Sequence, residues 1–533
     1  MLGTPFQQEV LTKVRSLAPV YVVGGAVRDL KMGTPAHDLD AVVSKPLPDL
    51  ATALREWGYH PHILGAHQQT VTLFHEQERL DFTEMRGSIE NDALRRDFTV
   101  NALYLDPASR ELIDPLDGAK DLEDKVLRGC GDAKQRLAED PLRILRMVRL
   151  AVGYGFKVEE GTWEAALELI SRLSETASER VTEELGKILL LEEVERAVRL
   201  LNELGYFKLY IPELTRLQGL VQNRYHSKDA WEHTLHVLRN TPPRLLLRLA
   251  GLFHDTGKWE TASHECDVWG KLEARGGNFF LGEYKLSGRN LESWRGRSVA
   301  VRGARLDHYP EVIQVKQIKP GSGKKGGFAW VPDGKRHFLG HERESACLVK
   351  QILPRFRWSM FLEQEHGEKE LLYLIENHMT GTLTFMSELR GERGRASIAE
   401  KAQRFAWEHG WDGRGFAAVR VDNLLELWQA DFFGGKERAE GDEEKFSFIQ
   451  ESIRTASIAI EKRWQELEWE PLQRIAQEFG INGEDYGRFK NYLRQRAILD
   501  EGFDLSNEEL LAKEYKDFVH TPPAWREQGF RRE

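Results

Sequence analysis

YVVGGAVRDLKMGTPAHDLD, residues Tyr21 to Asp40, sets a strand, a glycine turn, a helix and an acidic pair in one short stretch. With Val20 in front, the run VYVV predicts a short buried strand that Gly24-Gly25 breaks. AVRDLKMG then predicts a short helix ended by Gly33 and Pro35. Asp38 and Asp40 flank Leu39 and lead into a second apolar strand, AVV. Residues two apart on a strand point the same way, so both carboxylates face one side. Two acidic oxygen donors beside a turn whose backbone can approach a phosphate make a site for Mg²⁺ and a nucleoside triphosphate. An isolated Asp-X-Asp is ordinarily a loop or a helix cap; the GGxxRD context makes this one specific.

A chain of 533 residues predicts several domains, because single cores stop growing near about 250–300 residues. No run of about 18 apolar residues predicts a membrane span, and the N-terminus has no secretory pattern. Cys130, Cys266 and Cys347 are too far apart for a zinc cluster or a disulfide framework, so a reducing, cytoplasmic setting is expected. The net charge of −10 excludes indiscriminate nucleic-acid binding. A local basic face remains compatible with RNA.

Residues 1–125 alternate short strands (PVYVV, DAVV, TVTLF, RLDFTEM) with the helix LPDLATALREWG, a small α/β domain. Asp81, on the fourth strand with Glu84, is a candidate third carboxylate. Next comes RRDFTVNAL, Arg95 to Leu103. Guanidinium forks bind phosphates and a carboxylate accepts from a ribose hydroxyl, so Arg96 and Asp97 suit a nucleotide. LIDPLDGAKDLEDKVLR, residues 112–128, predicts a turn at Asp114 and Asp117-Gly118 and then a connecting helix. In EDPLRILRMVR, Asp140 predicts an N-cap with Pro141 at the first helical position. Arg143, Arg146 and Arg149 follow as a basic stripe. Asp140 and Arg143, three apart, project together. A carboxylate beside a guanidinium matches the amino donor and the ring acceptors of cytosine.

GGAVRD with DLD, RRDFTVNAL, the Asp114–Asp117 segment, EDPLRILR and SERVTEEL (Ser178 to Leu185) resemble, in order, the five motifs of the class II tRNA nucleotidyltransferase and poly(A) polymerase family. The resemblance implies Gly24, Gly25, Arg28 and Arg96 on the triphosphate and Asp97 on the sugar. Asp140 and Arg143 would read the base in place of a nucleic-acid template, with Arg146 and Arg149 also in the nucleotide site. It implies that Asp38 and Asp40 hold Mg²⁺ and catalyse transfer to the tRNA 3′ end.

Residues 126–225 predict a helical neck and body. In 226–435, His233, the pair His254-Asp255 closing an apolar helix, and Asp431 form an H…HD…D series. It resembles the HD superfamily, which implies a divalent metal, better a transition metal than Mg²⁺, and a secondary phosphohydrolase activity. His341 and His378 match additional histidines of such proteins. Between about 265 and 337 the glycines and alternating segments (SVAVRGARL, EVIQVKQI) predict a β-rich, barrel-like insert. Its KPGSGKKGG run lacks the phosphate-loop spacing. Residues 436–533 predict a charged helical region in which Tyr486, Lys490, Tyr492, Arg494 and Arg496 suit an RNA backbone.

The expected fold is thus an α/β nucleotidyltransferase head, then a mainly α-helical neck, body and HD domain with a small β-rich insert. The expected partners are the tRNA 3′ end and CTP, with ATP the alternative. Only Gly87 to Leu94, GSIENDAL, separate Arg86 from Arg95. The family's CCA-adding members carry a longer flexible loop here, and its CC-adding members a shortened one. The resemblance therefore implies a CC-adding enzyme. The alternatives are a CCA-adding, an A-adding or a poly(A)-adding enzyme, a protein that is chiefly a hydrolase, or a bare RNA-binding module. Oligomeric state is not legible in the sequence.

Overall fold

The computed structural model describes residues 3–35, 38–64, 70–76, 78–222, 228–321, 327–330, 336–362, 367–390, 396–411, 416–435 and 441–466, with 489, 492, 493, 510, 511 and 513–515. Chain contacts divide it into two compact units, Met1–Glu376 and Asn377–Glu533.

The first unit opens with α1 (Pro5–Leu17), started by a capping box between Thr4 and Gln7. A mixed sheet follows, from β1 (Val20–Val23), β2 (Asp38–Val43), β3 (His62–Leu64), β4 (Thr70–His75), β5 (Glu78–Glu84), β6 (Tyr104–Leu105) and β7 (Leu112–Ile113). Its order is β3-β4-β5-β2-β1-β6-β7. The helices α2 (Gly25–Lys31) and α3 (Leu47–Glu56) lie between its strands in sequence. The period of two along β2 sends Leu39, Ala41 and Val43 into a core with Leu80, Phe82, the buried stripe Val10, Leu11 and Val14 of α1, and Leu47, Leu50, Ala51 and Leu54 of α3. Val23 and Val42 face the opposite way and pack with Ala93, Ala102 and Tyr104. Asp40, two residues from Val42, is on that second side. The four expected strands and the helix of the α/β domain are present. The edge strand β3 and the two-residue strands β6 and β7 were not read, because two or three residues carry no period.

The chain continues with α4 (Ile89–Ala93), a 3₁₀ turn at Thr99–Asn101, α5 (Gly118–Glu123), β8 (Val126–Leu127), α6 (Ala133–Glu139), α7 (Leu142–Gly153), β9 (Lys157–Val158), α8 (Glu160–Leu169), α9 (Ser178–Leu189), α10 (Val194–Glu203), α11 (Tyr206–Tyr210), α12 (Pro212–Thr215), α13 (Ala230–Asn240), α14 (Leu245–Phe253) and α15 (Lys258–Thr261). Gly118 is needed where it stands. A Cβ there would lie 2.1 Å from the carbonyl oxygen of Thr99, so only glycine lets α5 pass beneath the 3₁₀ turn. Asp121 on α5 secures the crossing by accepting from Thr99 Oγ1 at 2.7 Å.

The insert is β10 (Ala262–Arg275), β11 (Asn278–Leu281), β12 (Tyr284–Ser287), β13 (Ser298–Leu306), β14 (Val312–Pro320), β15 (Gly327–Trp330) and β16 (Arg336–Phe338). It follows α15 without a gap, returns to α16 (His341–Ile352), and leads on to α17 (Gly367–Asn377). The tip of the basic KPGSGKK run lies outside the described residues.

The second unit holds α18 (Thr380–Leu389), α19 (Ala396–Gly410), α20 (Ala418–Gly435) and α21 (Asp442–Glu466). Its core is aromatic: Trp428 and Phe385, both fully buried, stack at 5.9 Å, and Phe446 lies 4.4 Å from Trp428. Of the C-terminal RNA candidates, Tyr486, Lys490, Arg494 and Arg496 lie outside the described residues. Tyr492 donates its hydroxyl to Glu514 at 2.6 Å.

Candidate active site

The acidic face of the head sheet is set by strand register. Asp40 is paired with Val23 on β1 and with Asp81 on β5, and Asp38 is level with Arg79. Asp38, Asp40 and Asp81 therefore share one face. Asp81 is restrained by Thr72 Oγ1 at 2.7 Å and by Arg79 Nε at 3.0 Å. Asp40 is exposed at the mouth of the cleft, with the cleft walls crowding it on the inner side. Desolvation on that side, and next the charge of Asp81, raise its pKa above the ordinary carboxylate value, although Arg96 and Arg79 pull the other way. Crowded acidic oxygens of this kind are relieved by a divalent cation, so the donors fit Mg²⁺.

Gly24 turns the chain from β1 into α2 at φ 79°, where a side chain would be strained. A Cβ on it would stand 3.7 Å from Asp40 Oδ2 and 3.8 Å from Arg96 Nη1. The glycine turn, the acidic strand and Arg96 therefore converge on one point. Arg96 is aimed there by Asp92, which accepts from its Nε and Nη2 at 3.2 and 3.1 Å, and by the Tyr104 hydroxyl at 3.0 Å. Tyr104 in turn donates to Asp92 at 2.7 Å.

Gly24, Asp40, Asp92 and Arg96 line a cleft of about 1900 Å³ that also takes in Gly25, Arg28, Glu84, Asp97, Asn101, Arg143, Arg146 and Arg149; Asp38 and Asp81 are outside its lining. Arg28 is buried and anchored by three bonds: Nε to Asp29 at 2.9 Å, Nη1 to Asn101 Oδ1 at 2.6 Å, and Nη2 to the Tyr154 hydroxyl. Asp97 accepts from the Phe98 N–H at 2.8 Å, Asn101 Nδ2 at 3.1 Å and Arg146 Nη1 at 3.1 Å. Burial alone would raise its pKa, but Arg146 and those hydrogen bonds more than offset it, and its carboxyl stays below the ordinary value.

The arginine stripe of α7 faces inward. Arg146 reaches Asp97 and Arg149 reaches Glu184 on α9 at 2.5 Å. Arg143 donates to the carbonyls of Arg136 at 2.9 Å and Arg95 at 3.0 Å. Asp140 ends α6, one residue ahead of the expected cap position, because Pro141 is the N-cap of α7; its carboxylate accepts from the Leu142 N–H at 3.3 Å and pairs with Arg180 of α9 at 2.9 Å. The expected Asp140–Arg143 couple is thus held by two different sets of partners. Arg143 lines the cleft, and Asp140 stands beside it, outside the lining.

Residues 20–90 and 86–128 match the poly A polymerase head domain, and residues 155–217 match the probable RNA and SrmB-binding site of polymerase A. These two segments are therefore similar to the poly(A) polymerase and tRNA nucleotidyltransferase family. Among its curated relatives, a CC-adding tRNA nucleotidyltransferase of Thermus thermophilus is 38% identical over 261 residues, covering 46% of this chain and 58% of that protein. An A-adding tRNA nucleotidyltransferase of Deinococcus radiodurans is 35% identical over 257 residues, again 46% and 58%. The chain therefore spans little more than half the length of these relatives. The crystal structure of the Bacillus stearothermophilus CCA-adding enzyme in complex with CTP aligns with 96% of this chain and 98% of its own, at TM-score 0.51 and 17% identity. That alignment shows a shared fold, a nucleotidyltransferase head with a helical C-terminal region.

Several residues that build the family site were not singled out in the sequence. Asp92 carried a faint signal, being four residues before Arg96. Arg180 sits inside SERVTEEL, and Asn101 inside RRDFTVNAL. Tyr104 and Tyr154 carried none, because their partners come from other elements.

A second cluster lies beyond the family-matched segments. His254 Nε2 is 3.3 Å from His233 Nε2 and 3.1 Å from Asp255 Oδ2, and His233 Nε2 is 3.4 Å from the same oxygen. All three are buried. Their ligand atoms lie close enough to hold one metal ion. His254 Nδ1 is 2.8 Å from the carbonyl of Gly251, and His341 Nδ1 is 2.8 Å from that of Phe338. With those protons on Nδ1, both Nε2 atoms turn lone pairs toward Asp255, His341 at 3.3 Å from Oδ1. Acceptors facing acceptors suit a cation between them. Lys258 Nζ, 2.6 Å from Asp255 Oδ2, supplies part of that charge. His378 and Asp431 belong to the second unit, Asp431 on α20.

Proposed function

We propose that this chain is a tRNA nucleotidyltransferase that adds two cytidines to the tRNA 3′ end from CTP and stops before the final A. Asp38 and Asp40 hold Mg²⁺, which activates the attacking hydroxyl and neutralises the triphosphate when bound. The Gly24-Gly25 backbone, Arg28 and Arg96 orient the phosphates. Asp97 accepts from a sugar hydroxyl. Arg143 presents its guanidinium to the base with Asp140 beside it, and Arg146 and Arg149 fix the wall behind them. The working domains are the head (1–125), the neck and body (126–225), the His–Asp region with its β insert (226–435) and the C-terminal helices (436–533).

The observation that carries the CC-only reading is the link from β5 to Arg95. Residues Gly87–Leu94 have no slack. Ser88 caps α4 through Asn91 N at 3.4 Å, and Asp92 is tied to both Arg96 and Tyr104. A segment pinned at its centre cannot swing the base-reading residues from one nucleotide to another. The curated relatives include CC-adding, A-adding and multifunctional CCA proteins at 38%, 35% and 34% identity, so the CC-only reading rests on that link. Incubating the protein with tRNA ending in CC and ATP tests it. No A is expected to be added, and efficient addition would overturn the CC-only reading.

A second activity is favoured by the convergence of His233, His254 and Asp255. We propose that they bind a divalent transition metal and hydrolyse a phosphoester.

A further inference from the structure

The β insert closes on itself. One edge of β10 pairs with β13 along Ser263–Lys271, and its far end pairs with β11 along Leu272–Arg275. β11 pairs with β12, β12 with β14 in parallel, and β14 with β13. The circuit β10-β11-β12-β14-β13-β10 is a five-stranded barrel in which the third and fifth strands run parallel, the connectivity of an OB-fold. Its interior is filled by Cys266, Val268, Leu272, Leu281, Leu286 and Val301. Barrels of this connectivity bind oligonucleotides and oligosaccharides across the outside of their second and third strands. Fold alone does not assign a ligand, so the outside of β11 and β12 decides.

Leu281 and Leu286 point inward, so Phe280 and Lys285 point outward, and they stand directly opposite each other. On the neighbouring strand, Glu273 is level with Phe280, and the Arg275 guanidinium lies 5.5 Å over the Phe280 ring while pairing with Glu273. Lys271 is on the same outer row of β10. Neither Lys271 nor Lys285 has a carboxylate within ion-pair distance among the described residues. On the other strands of the barrel, Arg302 pairs with Asp267 at 2.8 Å and Lys316 with Glu265 at 2.7 Å. Between Ala262 and Pro320 there are ten Lys and Arg against seven Asp and Glu, in a chain whose net charge is −10. The positive surplus is therefore local to this barrel, and two of its lysines, Lys271 and Lys285, flank an outward aromatic ring. An oligosaccharide would need hydrogen-bonding side chains and no such charge. A strand of bases and phosphates needs a ring to stack on and cations at phosphate spacing.

We propose that the outer face of β10–β12, centred on Phe280 and flanked by Lys271, Arg275 and Lys285, binds single-stranded nucleic acid. A base stacks on Phe280, and the lysines take the adjacent phosphates. The site is separate from the head cleft and gives the protein a second grip on a strand.

The test uses the full chain, no nucleotide, EDTA, and a fluorescent oligo-U of about 12 nucleotides blocked by a 3′-phosphate so that it cannot be extended. Oligo-dT of the same length is the second arm, and the ratio of the two reports whether the 2′-hydroxyl is read. Phe280→Ala is expected to weaken binding by about tenfold in both arms. The double variant Lys271→Glu with Lys285→Glu should weaken it further and flatten the slope of log affinity against log salt by about 1.4. All these side chains point outward, so the melting temperature should not change. Affinities within twofold of the unmodified protein with an unchanged salt slope would overturn the proposal. So would a blunt duplex of the same length that binds as tightly as the single strand.

Discussion

Replacing Gly118 by Ala probes how α5 holds the catalytic face. The added Cβ would lie 2.1 Å from Thr99 O and 2.7 Å from Thr99 C, both backbone atoms that cannot rotate aside. Cβ contacts do not occur below 3.0 Å, so the turn at Thr99–Asn101 must retreat by roughly 1 Å. Overpacking of this kind costs about 1–3 kcal/mol. The gain from Gly to Ala in a helix returns about 0.5–1 kcal/mol, leaving a net loss of about 1–2 kcal/mol. The larger effect is on geometry, because the same turn carries Asn101 and follows Asp97, which meet Arg28 and Arg146. A misplacement of about 1 Å costs on the order of a hundredfold in rate. Urea unfolding followed by steady-state CTP incorporation into tRNA lacking its 3′ end measures both losses. Gly153→Ala is the control, since its Cβ would meet nothing closer than Leu191 at 3.4 Å. A Gly118→Ala protein as stable and as active as the control would refute the crossing as the support of the site.

Asp40→Ala should abolish nucleotide incorporation while raising thermal stability slightly, because it removes a carboxylate crowded by Asp81; incorporation near the normal rate would remove it from the metal site. Asp140→Ala should lower the preference for CTP over UTP by about 1–3 kcal/mol in competition assays, with the apparent affinity for inorganic triphosphate little changed. His254→Ala should remove metal-dependent phosphodiesterase activity and leave CTP incorporation intact; hydrolysis that survives would reassign the cluster. In the second unit, burial pushes the His409 pKa down to about 4 from 6.5. The unfolded chain then takes up the proton first, so stability is full above pH 6.5 and falls by about 3 kcal/mol as pH drops toward 4. His409→Leu should flatten that decline in chemical denaturation at stepped pH, and an unchanged decline would count against burial as its cause.

What the sequence disclosed was whatever lay within one element or one turn. VYVV, DLDAVV and the Gly24 turn were readable because apolar alternation and a glycine break are local. His254-Asp255 at the end of LAGLF was readable for the same reason. Partnerships between distant elements were not. Nothing in EDPLR says that Asp140 will be taken by Arg180 from α9, or that Arg143 will spend its donors on two carbonyls. The basic stripe of α7 was visible as spacing, but its direction, inward onto Asp97 and Glu184, depends on how α7 packs. The barrel was visible as alternation. Its closure rests on β11 meeting the far end of β10, a pairing that no period encodes.

The two ends of the barrel leave the helices side by side: Ala262 pairs with Phe338, Asp255 lies just before the first, and His341 just after the second. The order of folding follows from this path. Until β10 and β16 zip together, His341 is tethered to Asp255 only by the whole length of the insert, and bringing such distant residues together must await the contacts that reward it. Approach of His341 to Asp255, beside the proposed metal site, is therefore expected to be a late event that reports on the barrel. A lesion anywhere in the insert that delays its closure should appear first as slow recovery of metal binding during refolding, long before it appears in the head.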